Sequence, residues 1–257
     1  MTERRWDVVG GTAGIAYGVL TIIGWFCWGT SAGTSIGGFF GDGGIPELDA
    51  PADQVARWYA EHQLTNWIGF VFFSLAILPY LIFLGRMRSV LATAEGGSAT
   101  GTSIYSIGAT VGSMLPVMYV TFFWMAGYRP GEVHPEITQA MQDIVMQTGP
   151  AGCMGWVAMF AAIATVVLTS GGLPRILGWL AIPVGVCQLL YIGQGFAKNG
   201  LFSGIDGLLG AFVPYGTYLS WIIATGVVLI KRGSGPVVAT IDPRETAGAG
   251  TAGAGTG

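Results

Sequence analysis

The sequence predicts an all-α protein, a polytopic bundle of six transmembrane helices. Six apolar stretches contain no Lys, Arg, Asp, Glu or His, and each is long enough to cross the hydrocarbon core of a bilayer, about 30 Å thick. Charged residues make up only 10% of the chain, and its mean hydropathy is +0.60. Backbone groups inside lipid must find hydrogen-bond partners within their own segment, so spans of this kind are helices.

The first stretch follows Arg4 and Arg5, as the apolar part of a signal peptide would. It is too long for that region and lacks a clear small-residue cleavage site, so we favour an uncleaved span. We expect one membrane domain, residues 1–232. Its predicted spans are 8–30, 64–84, 103–127, 148–168, 176–196 and 208–230.

The distribution of basic residues predicts the orientation of the bundle. With the N-terminus inside, eight basic residues fall in inside segments: Arg4, Arg5, Arg86, Arg88, Arg175, Lys231, Arg232 and Arg244. Only Arg57, Arg129 and Lys198 fall outside. Because basic residues accumulate on the cytoplasmic side, both termini are predicted to be cytoplasmic.

Two of the outside loops each contain an amphipathic helix pattern. In the first, Val55, Trp58, Tyr59 and His62 share one face, and in the second, residues 134–147, apolar residues recur at helical spacing. We interpret both as interfacial helices on or near the outer surface, with capping of the bundle as the alternative. The inside segment Gly85–Thr102 is predicted to be a flexible loop, and the tail 233–257, rich in Ala, Gly and Thr, is predicted to be disordered.

Small residues at four-residue spacing let helices approach closely in lipid. Gly10, Gly14 and Gly18 form such a stripe in the first span, which we expect to be a contact face within the protein, with a homodimer or partner-subunit seam as the alternative.

Cys27 and Cys153 both fall near outer span ends, so a disulfide is conceivable. Buried thiols that pack as small apolar groups are the preferred interpretation.

Four spans contain a proline, namely Pro79, Pro116, Pro183 and Pro214. Proline tends to kink a helix, and kinks open space in a bundle. Gln188, Tyr191 and Gln194 make one side of the fifth span polar, and Tyr215 and Tyr218 share a face beside Pro214. These five residues are the predicted ligand-binding set, facing one cavity in the outer half of the bilayer. Plain hydrogen bonding between helices, without a ligand, is the alternative.

Other polar residues that could line such a cavity include Tyr17 and Tyr119. Trp25 and Trp156 are assigned instead to an aromatic belt at the outer ends of spans. No catalytic residues, metal site or cofactor are predicted. The two histidines, His62 and His134, fall in outside loops, where they cannot ligate a haem within the membrane. No basic patch or motif of a nucleic-acid-binding fold is present.

Several segments of the C-terminal half resemble a family of uncharacterised six-span bacterial membrane proteins, common in actinobacteria. They are 173–180 (LPRILGWL), 195–202 (GFAKNGLF), 212–215 (FVPY) and 134–143 (HPEITQAMQD). In that family the outer helix often has the pattern PExxxALND, from which 141–143 (MQD) departs. The resemblance implies the six-span topology and a bacterial plasma-membrane location, and it implies no activity.

For function, the sequence favours a non-catalytic membrane protein that binds a small apolar or amphiphilic molecule or serves as an accessory subunit of a membrane complex. A permease for a neutral or amphiphilic solute is the first alternative. An enzyme with an extracytoplasmic site near His62 and His134 is the second. The lack of ionisable residues within the predicted spans argues against charge-coupled transport.

Overall fold

The computed structural model describes residues 2–30, 45–97, 99–205 and 207–234, in which the chain forms helices and no strand. The α-helices are α1 (Glu3–Thr30), α2 (Ala52–Glu61), α3 (Gln63–Glu95), α4 (Thr100–Tyr128), α5 (Pro135–Ser170), α6 (Arg175–Gln188), α7 (Tyr191–Gln194) and α8 (Val213–Ser234). Six helical segments are long and apolar enough to cross a membrane: Glu3–Cys27, Gln63–Glu95, Thr100–Tyr128, Pro135–Ser170, Arg175–Gln194 and Leu208–Ser234. The predicted all-helical architecture with six long apolar helices is therefore confirmed. Residues 235–257 of the predicted tail lie outside the described residues.

The last two spans are not continuous α-helices. After Gln188, backbone N–H groups of Leu189, Leu190 and Ile192 bond to carbonyls three residues back, so the helix tightens before α7. The sixth span begins with a π-helical turn, Leu208–Phe212, which leads directly into α8. Irregular turns of this kind are found inside membrane proteins only where protein or a cavity surrounds them.

The prediction of a flexible loop over Gly85–Thr102 is wrong for its first eleven residues, 85–95, which continue α3 to Glu95. Met87, Val90 and Leu91 are buried in the main core, so this stretch has an apolar face that packs. The actual connection to α4 is short. Glu95 closes it by accepting hydrogen bonds from the backbone N–H groups of Gly101 and Thr102.

Contacts between helix ends identify which ends lie on the same side of the bundle. Arg86, near the end of α3, contacts Asp7 at the start of α1. Arg232, near the end of α8, contacts Asp7 and the carbonyl of Gly172, just after α5. We call this side of the bundle the charged end. The opposite side, where α2 and the first turns of α5 lie, is the capped end.

At the capped end, the two predicted amphipathic helices pack on the bundle and on each other. Helix α2 buries Val55, Ala56, Trp58 and Tyr59. The second pattern is not a separate helix, because α5 runs without a break from Pro135 into the fourth span. A second apolar core, including Val55, Phe70, Phe123 and Val145, joins α2, α3, α4 and α5. The capping alternative therefore describes the position of both helices.

The glycine stripe of α1 is a contact face within the chain. A Cβ atom at Gly10 would lie 2.5 Å from Cβ of Arg86, and one at Gly14 would lie 2.7 Å from a ring carbon of Phe83. At Gly18 it would lie 2.6 Å from Cγ1 of Ile223 in α8. The first two contacts bring α1 against α3, and the third brings it against α8. The homodimer seam through these glycines stays a prediction.

The three cysteines are free thiols, so Cys27 and Cys153 do not pair. Cys153 is fully buried in the main core, as the packing interpretation expects.

Candidate binding cavity

A mainly aromatic cavity of about 80 Å³ lies inside the bundle, nearer the capped end. That volume exceeds the roughly 10–15 Å³ that one water molecule requires. Every lining residue in the described part of the chain is uncharged: Tyr17, Thr21, Trp25, Phe70, Phe73, Ala76, Ile77, Tyr80, Leu115, Pro116, Tyr119, Val120, Phe123, Gly149, Trp156, Tyr191, Gly204, Ala211 and Tyr215. Such a chamber can hold a small uncharged molecule but offers no counter-ion for a charged one.

Helical spacing explains how the wall is built. Tyr17, Thr21 and Trp25 are four residues apart and lie on one face of α1. The face of α3 that meets them includes Ala76 and Tyr80. Since alanine is small, it leaves room between the aromatic rings. Pro116 contributes to the wall from inside α4, where a proline removes one helical hydrogen bond.

Four tyrosine hydroxyls converge at the bottom of the cavity from three helices. The hydroxyls of Tyr17 in α1 and Tyr215 in α8 lie 3.3 Å apart. Tyr218 donates its hydroxyl to that of Tyr80 in α3, at 2.5 Å. The rings of Tyr17 and Tyr80 stack with their centroids 4.6 Å apart, which ties the two pairs into one cluster. We refer to these residues, Tyr17, Tyr80, Tyr215 and Tyr218, as the tyrosine cluster.

The tyrosine cluster retains hydrogen-bonding capacity. A phenol hydroxyl offers one proton and two acceptor lone pairs. The bond between Tyr17 and Tyr215 uses one of their two protons. Tyr80 accepts from Tyr218, and its hydroxyl also interacts with Ser113 and Trp156. The pair of Tyr17 and Tyr215, which lines the cavity, can therefore donate one hydrogen bond to a carbonyl, ether or hydroxyl oxygen of a bound molecule. Tyr119 adds a further hydroxyl to the wall.

The structure brings two of the five predicted ligand-binding residues to the cavity, Tyr191 and Tyr215. Tyr218 lies directly beneath them, fully buried and bonded to Tyr80, without forming part of the wall. Gln188 and Gln194 are also buried and also lie outside the wall. The polar side of the fifth span therefore turns inward, as expected, but only its tyrosine reaches the cavity.

The two glutamines hold helices together. The Nε2 atom of Gln188 donates to the carbonyls of Val184 and Pro214, at 3.1 and 3.0 Å. The bond to Pro214 links the fifth span to the sixth. For Gln188 the structure therefore matches the alternative of hydrogen bonding between helices without a ligand. The Nε2 atom of Gln194 lies 3.3 Å from the sulfur of Met146 in α5. Gly149 and Gly204 make room for this side chain, because a Cβ atom at either position would clash with the amide group of Gln194.

Sequence reasoning missed several cavity residues. Trp156 was assigned to an aromatic belt, yet only 3% of it is exposed and it packs on Tyr218, with ring centroids 4.7 Å apart. Trp25, predicted for the same belt, lines the cavity and also the groove on its outer side. The spacing of Tyr17, Thr21 and Trp25 was a usable signal, since three residues with a polar atom at intervals of four mark one face of a helix.

The sequence analysis also did not predict a cluster of charged side chains at the charged end. Arg86 is 7% exposed and Asp7 is 3% exposed, so the chain buries an ion pair in what the sequence presents as an apolar bundle. Glu3 also accepts a hydrogen bond from Arg86, at 2.7 Å, and Nε of Arg232 lies 3.4 Å from Asp7. With two carboxylates and two guanidinium groups, the formal charges of this cluster balance.

The two histidines have local partners. The Nδ1 atom of His62 lies 2.8 Å from the carbonyl of Trp58, and its ring stacks on that tryptophan. His134 is exposed and pairs with Glu136, two residues along the chain. Among the described residues, no group of three or more His, Cys, Asp or Glu side chains could hold a metal ion.

No protein-family model matches the chain, and neither does any curated protein or solved structure at a significant level. The resemblance to a six-span bacterial family therefore stays a prediction. The class of protein is defined by the fold alone, as a helical protein with six candidate membrane-spanning helices.

Proposed function

We propose that this chain is a multi-pass protein of the bacterial plasma membrane that binds a small apolar or amphiphilic molecule in the cavity above the tyrosine cluster. The observation that carries the proposal is a mainly aromatic cavity of about 80 Å³ at which hydroxyls from α1, α3 and α8 converge. Binding sites for small molecules are typically concave, mainly apolar and supplied with a few convergent polar groups. The same site would serve a protein that works alone or as an accessory subunit.

The orientation belongs to the proposal as well. The excess of basic residues near the charged end supports a cytoplasmic location for both termini. The cavity, being nearer the capped end, then lies in the outer half of the membrane. The two amphipathic segments that cover it, α2 and the first turns of α5, are extracytoplasmic in this arrangement.

The proposal can be tested with two matched tryptophan variants of α3. Ile77 lines the cavity, so Ile77→Trp fills it. Leu75, two residues away, is 56% exposed on the outer face of the bundle. Leu75→Trp therefore adds a side chain of the same size on the side that faces lipid. Wild type and both variants would be purified in mild detergent and analysed by native mass spectrometry for a retained small molecule. We expect wild type and Leu75→Trp to carry it and Ile77→Trp to lose it.

Retention by Ile77→Trp at the level of wild type would contradict binding in the cavity. Absence of any bound molecule from wild type, in detergent and after reconstitution with bacterial lipid extract, would contradict binding altogether.

A permease for a neutral or amphiphilic solute is the second candidate. It is favoured by the interruptions of the last two spans, since Tyr191 of α7 and Ala211 of the π-helical turn both line the cavity. Broken helices commonly line the substrate sites of transporters. The extracytoplasmic enzyme has less support, because His62 bonds to its own helix and His134 pairs with Glu136.

A further inference from the structure

A second cavity lies against the outer side of the first, in a groove between α1 and the start of the sixth span. Its volume is about 190 Å³. The walls are formed by Ile22, Trp25 and Phe26 from α1 and by Ala211, Phe212, Tyr215 and Gly216 from the sixth span. We call it the α1–α8 groove.

The groove and the inner cavity share part of their walls. Trp25, Ala211 and Tyr215 line both. The rings of Trp25 and Tyr215 lie between the two spaces, with centroids 5.8 Å apart and planes tilted by 57°. The shared wall therefore consists of these two rings together with Ala211, and movement of the rings is the simplest way to join the two spaces.

The groove faces the surroundings of the bundle. Phe26 is 50% exposed and Ile22 is 39% exposed. Both belong to a helix with the length and apolar composition of a membrane span, and Ala211, Tyr215 and Gly216 belong to another. Lipid hydrocarbon therefore covers this surface when the protein is in a membrane. At Gly216 a Cβ atom would meet no atom of the other described residues within 4 Å, so these residues leave the groove open there.

We propose that the cavity receives a neutral single-chain amphiphile directly from the bilayer, through the α1–α8 groove. The chain of the amphiphile remains in the groove, and its hydroxyl or carbonyl group reaches the tyrosine cluster. This inference rests on the proposed binding function and specifies the class of the ligand and its route.

The selectivity of the site for its ligand should come from the uncharged polar group of the amphiphile and not from its hydrocarbon chain. A hydrocarbon chain gains little by leaving lipid for the groove, because lipid tails are as apolar as the groove residues. An oxygen atom that leaves hydrocarbon for a donating phenol gains a hydrogen bond. A carboxylate or ammonium group would enter a chamber whose lining carries no charge, at a large desolvation cost.

The test uses the full chain reconstituted in phosphatidylcholine vesicles. The probe is 1-hexadecanol that carries a photoactivatable diazirine and an alkyne tag on its chain, and the charged comparison is the matching palmitate probe at pH 8. After illumination, mass spectrometry locates the cross-links. In wild type, we expect the alcohol to label cavity segments, such as those that contain Tyr119 and Tyr191, together with groove residues of α1. We expect the palmitate probe to leave the cavity segments unlabelled.

Two matched glycine variants test the route. Gly216→Leu places a side chain in the groove without an internal clash, and Gly85→Leu makes the same change at an open, exposed position of α3. We expect cavity labelling to fall to background in Gly216→Leu and to equal wild type in Gly85→Leu. Phe26→Ala, which widens the groove, provides a second test and should increase the rate of labelling.

The outcomes separate this inference from the proposed function. Cavity labelling of Gly216→Leu at the wild-type rate, with no gain in Phe26→Ala, would overturn the lateral route and leave binding intact. Equal labelling of the cavity by alcohol and palmitate would overturn the neutral ligand class. If the alcohol failed to label wild type while native mass spectrometry still found a bound molecule, the ligand class would be wrong and the binding function would stand.

Discussion

Arg86 and Asp7 connect α3 to α1 through a buried two-point contact. The Nε and Nη2 atoms of Arg86 both donate to Oδ1 of Asp7, at 3.0 and 2.8 Å. Gly10 makes the contact possible, since any side chain there would occupy the space of the first methylene groups of Arg86. The same carboxylate meets Arg232 of α8, so one acidic residue joins three helices at the charged end.

Removing one partner of this contact should strongly destabilise the protein. Asp7→Leu leaves the Arg86 guanidinium buried with only the exposed Glu3 carboxylate beside it, and an uncompensated buried charge costs about 3–5 kcal/mol. We expect a large fall in the thermal unfolding midpoint in detergent. The double variant Asp7→Leu with Arg86→Met removes both charges and should recover much of that loss. A double variant no more stable than Asp7→Leu would contradict this account.

An exposed ion pair supplies the control. Asp53 and Arg57 lie 3.4 Å apart on the surface of α2, and both side chains are about two-thirds exposed, at 68% and 67%. Exposed pairs contribute little, so Asp53→Leu should change the midpoint far less than Asp7→Leu does.

The contact between α4 and α5 predicts an unusual sensitivity to one methyl group. A Cβ atom at Gly108 would lie 2.6 Å from the carbonyl oxygen of Gly155 and 2.7 Å from the backbone nitrogen of Met159. Both atoms are backbone, so the helices themselves would have to separate. We expect Gly108→Ala to lower the thermal midpoint.

Gly85→Ala is the matched control for Gly108→Ala. It sits in α3, where no atom of the described part of the chain lies within 4 Å of the new methyl group. Because alanine favours helix over glycine, by up to about 1 kcal/mol, Gly85→Ala should hold or raise the midpoint. Equal effects of the two substitutions would show that packing at Gly108 does not matter.

The tyrosine cluster predicts coupled substitutions. Tyr80→Phe removes the acceptor of the Tyr218 hydroxyl and leaves that group buried without its partner, at a cost of about 1–3 kcal/mol. The double variant with Tyr218→Phe removes both hydroxyls and should be less destabilised than the sum of the single variants. Tyr128→Phe, at an exposed position, serves as the control. Additive single effects would mean that the two hydroxyls act independently.

The orientation of the bundle can be measured with reporter fusions. Gly97 lies in the short connection between α3 and α4, and Gly131 lies between α4 and α5. Fusions that end at these residues should report opposite sides, with Gly97 cytoplasmic and Gly131 extracytoplasmic. The same side for both would refute the topology, and a reversed pair would refute only its orientation.

The six spans could be predicted from the sequence because the bilayer imposes both length and composition on each one separately. No knowledge of neighbouring helices is needed to see that residues 148–168 form a helix. The extension of α3 through residues 85–95 could not be seen this way. Its polar residues resemble a loop, and only the tertiary contacts of Arg86, Met87 and Leu91 make it a buried helix.

The site could be predicted only in part, because facing inward and lining a cavity are different properties. The prediction, based on polarity, that Gln188 and Gln194 face the interior is correct. Which inward side chains bond to backbone and which face empty space depends on neighbours distant in sequence, as with Gln188 and the carbonyl of Pro214, 26 residues away. The contact of Asp7 with Arg86 spans 79 residues and has no local pattern at all.

The cap over the cavity contains a hydroxyl that should cost stability. Tyr59 in α2 is completely buried, and its hydroxyl has no hydrogen-bond partner among the residues that the structure describes. Burial also raises the pKa of this phenol, so it is neutral at any ordinary pH. A buried hydroxyl without a partner is unfavourable by about 1–3 kcal/mol. Tyr59→Phe keeps the ring that fills the second core and removes only the unpaired group, so it should raise the thermal midpoint or leave it unchanged.

Tyr105→Phe provides the comparison, because that tyrosine is equally buried but donates to the carbonyl of Leu84 at 3.1 Å. Removing a hydroxyl that is bonded should lower the midpoint, since the carbonyl loses its side-chain donor. The two substitutions delete the same atom from the same kind of residue, so opposite signs would trace the difference to the partner alone. A clear loss of stability in Tyr59→Phe would instead mean that the hydroxyl has a partner in the membrane-embedded protein, for which an ordered water beneath the cap is the simplest candidate.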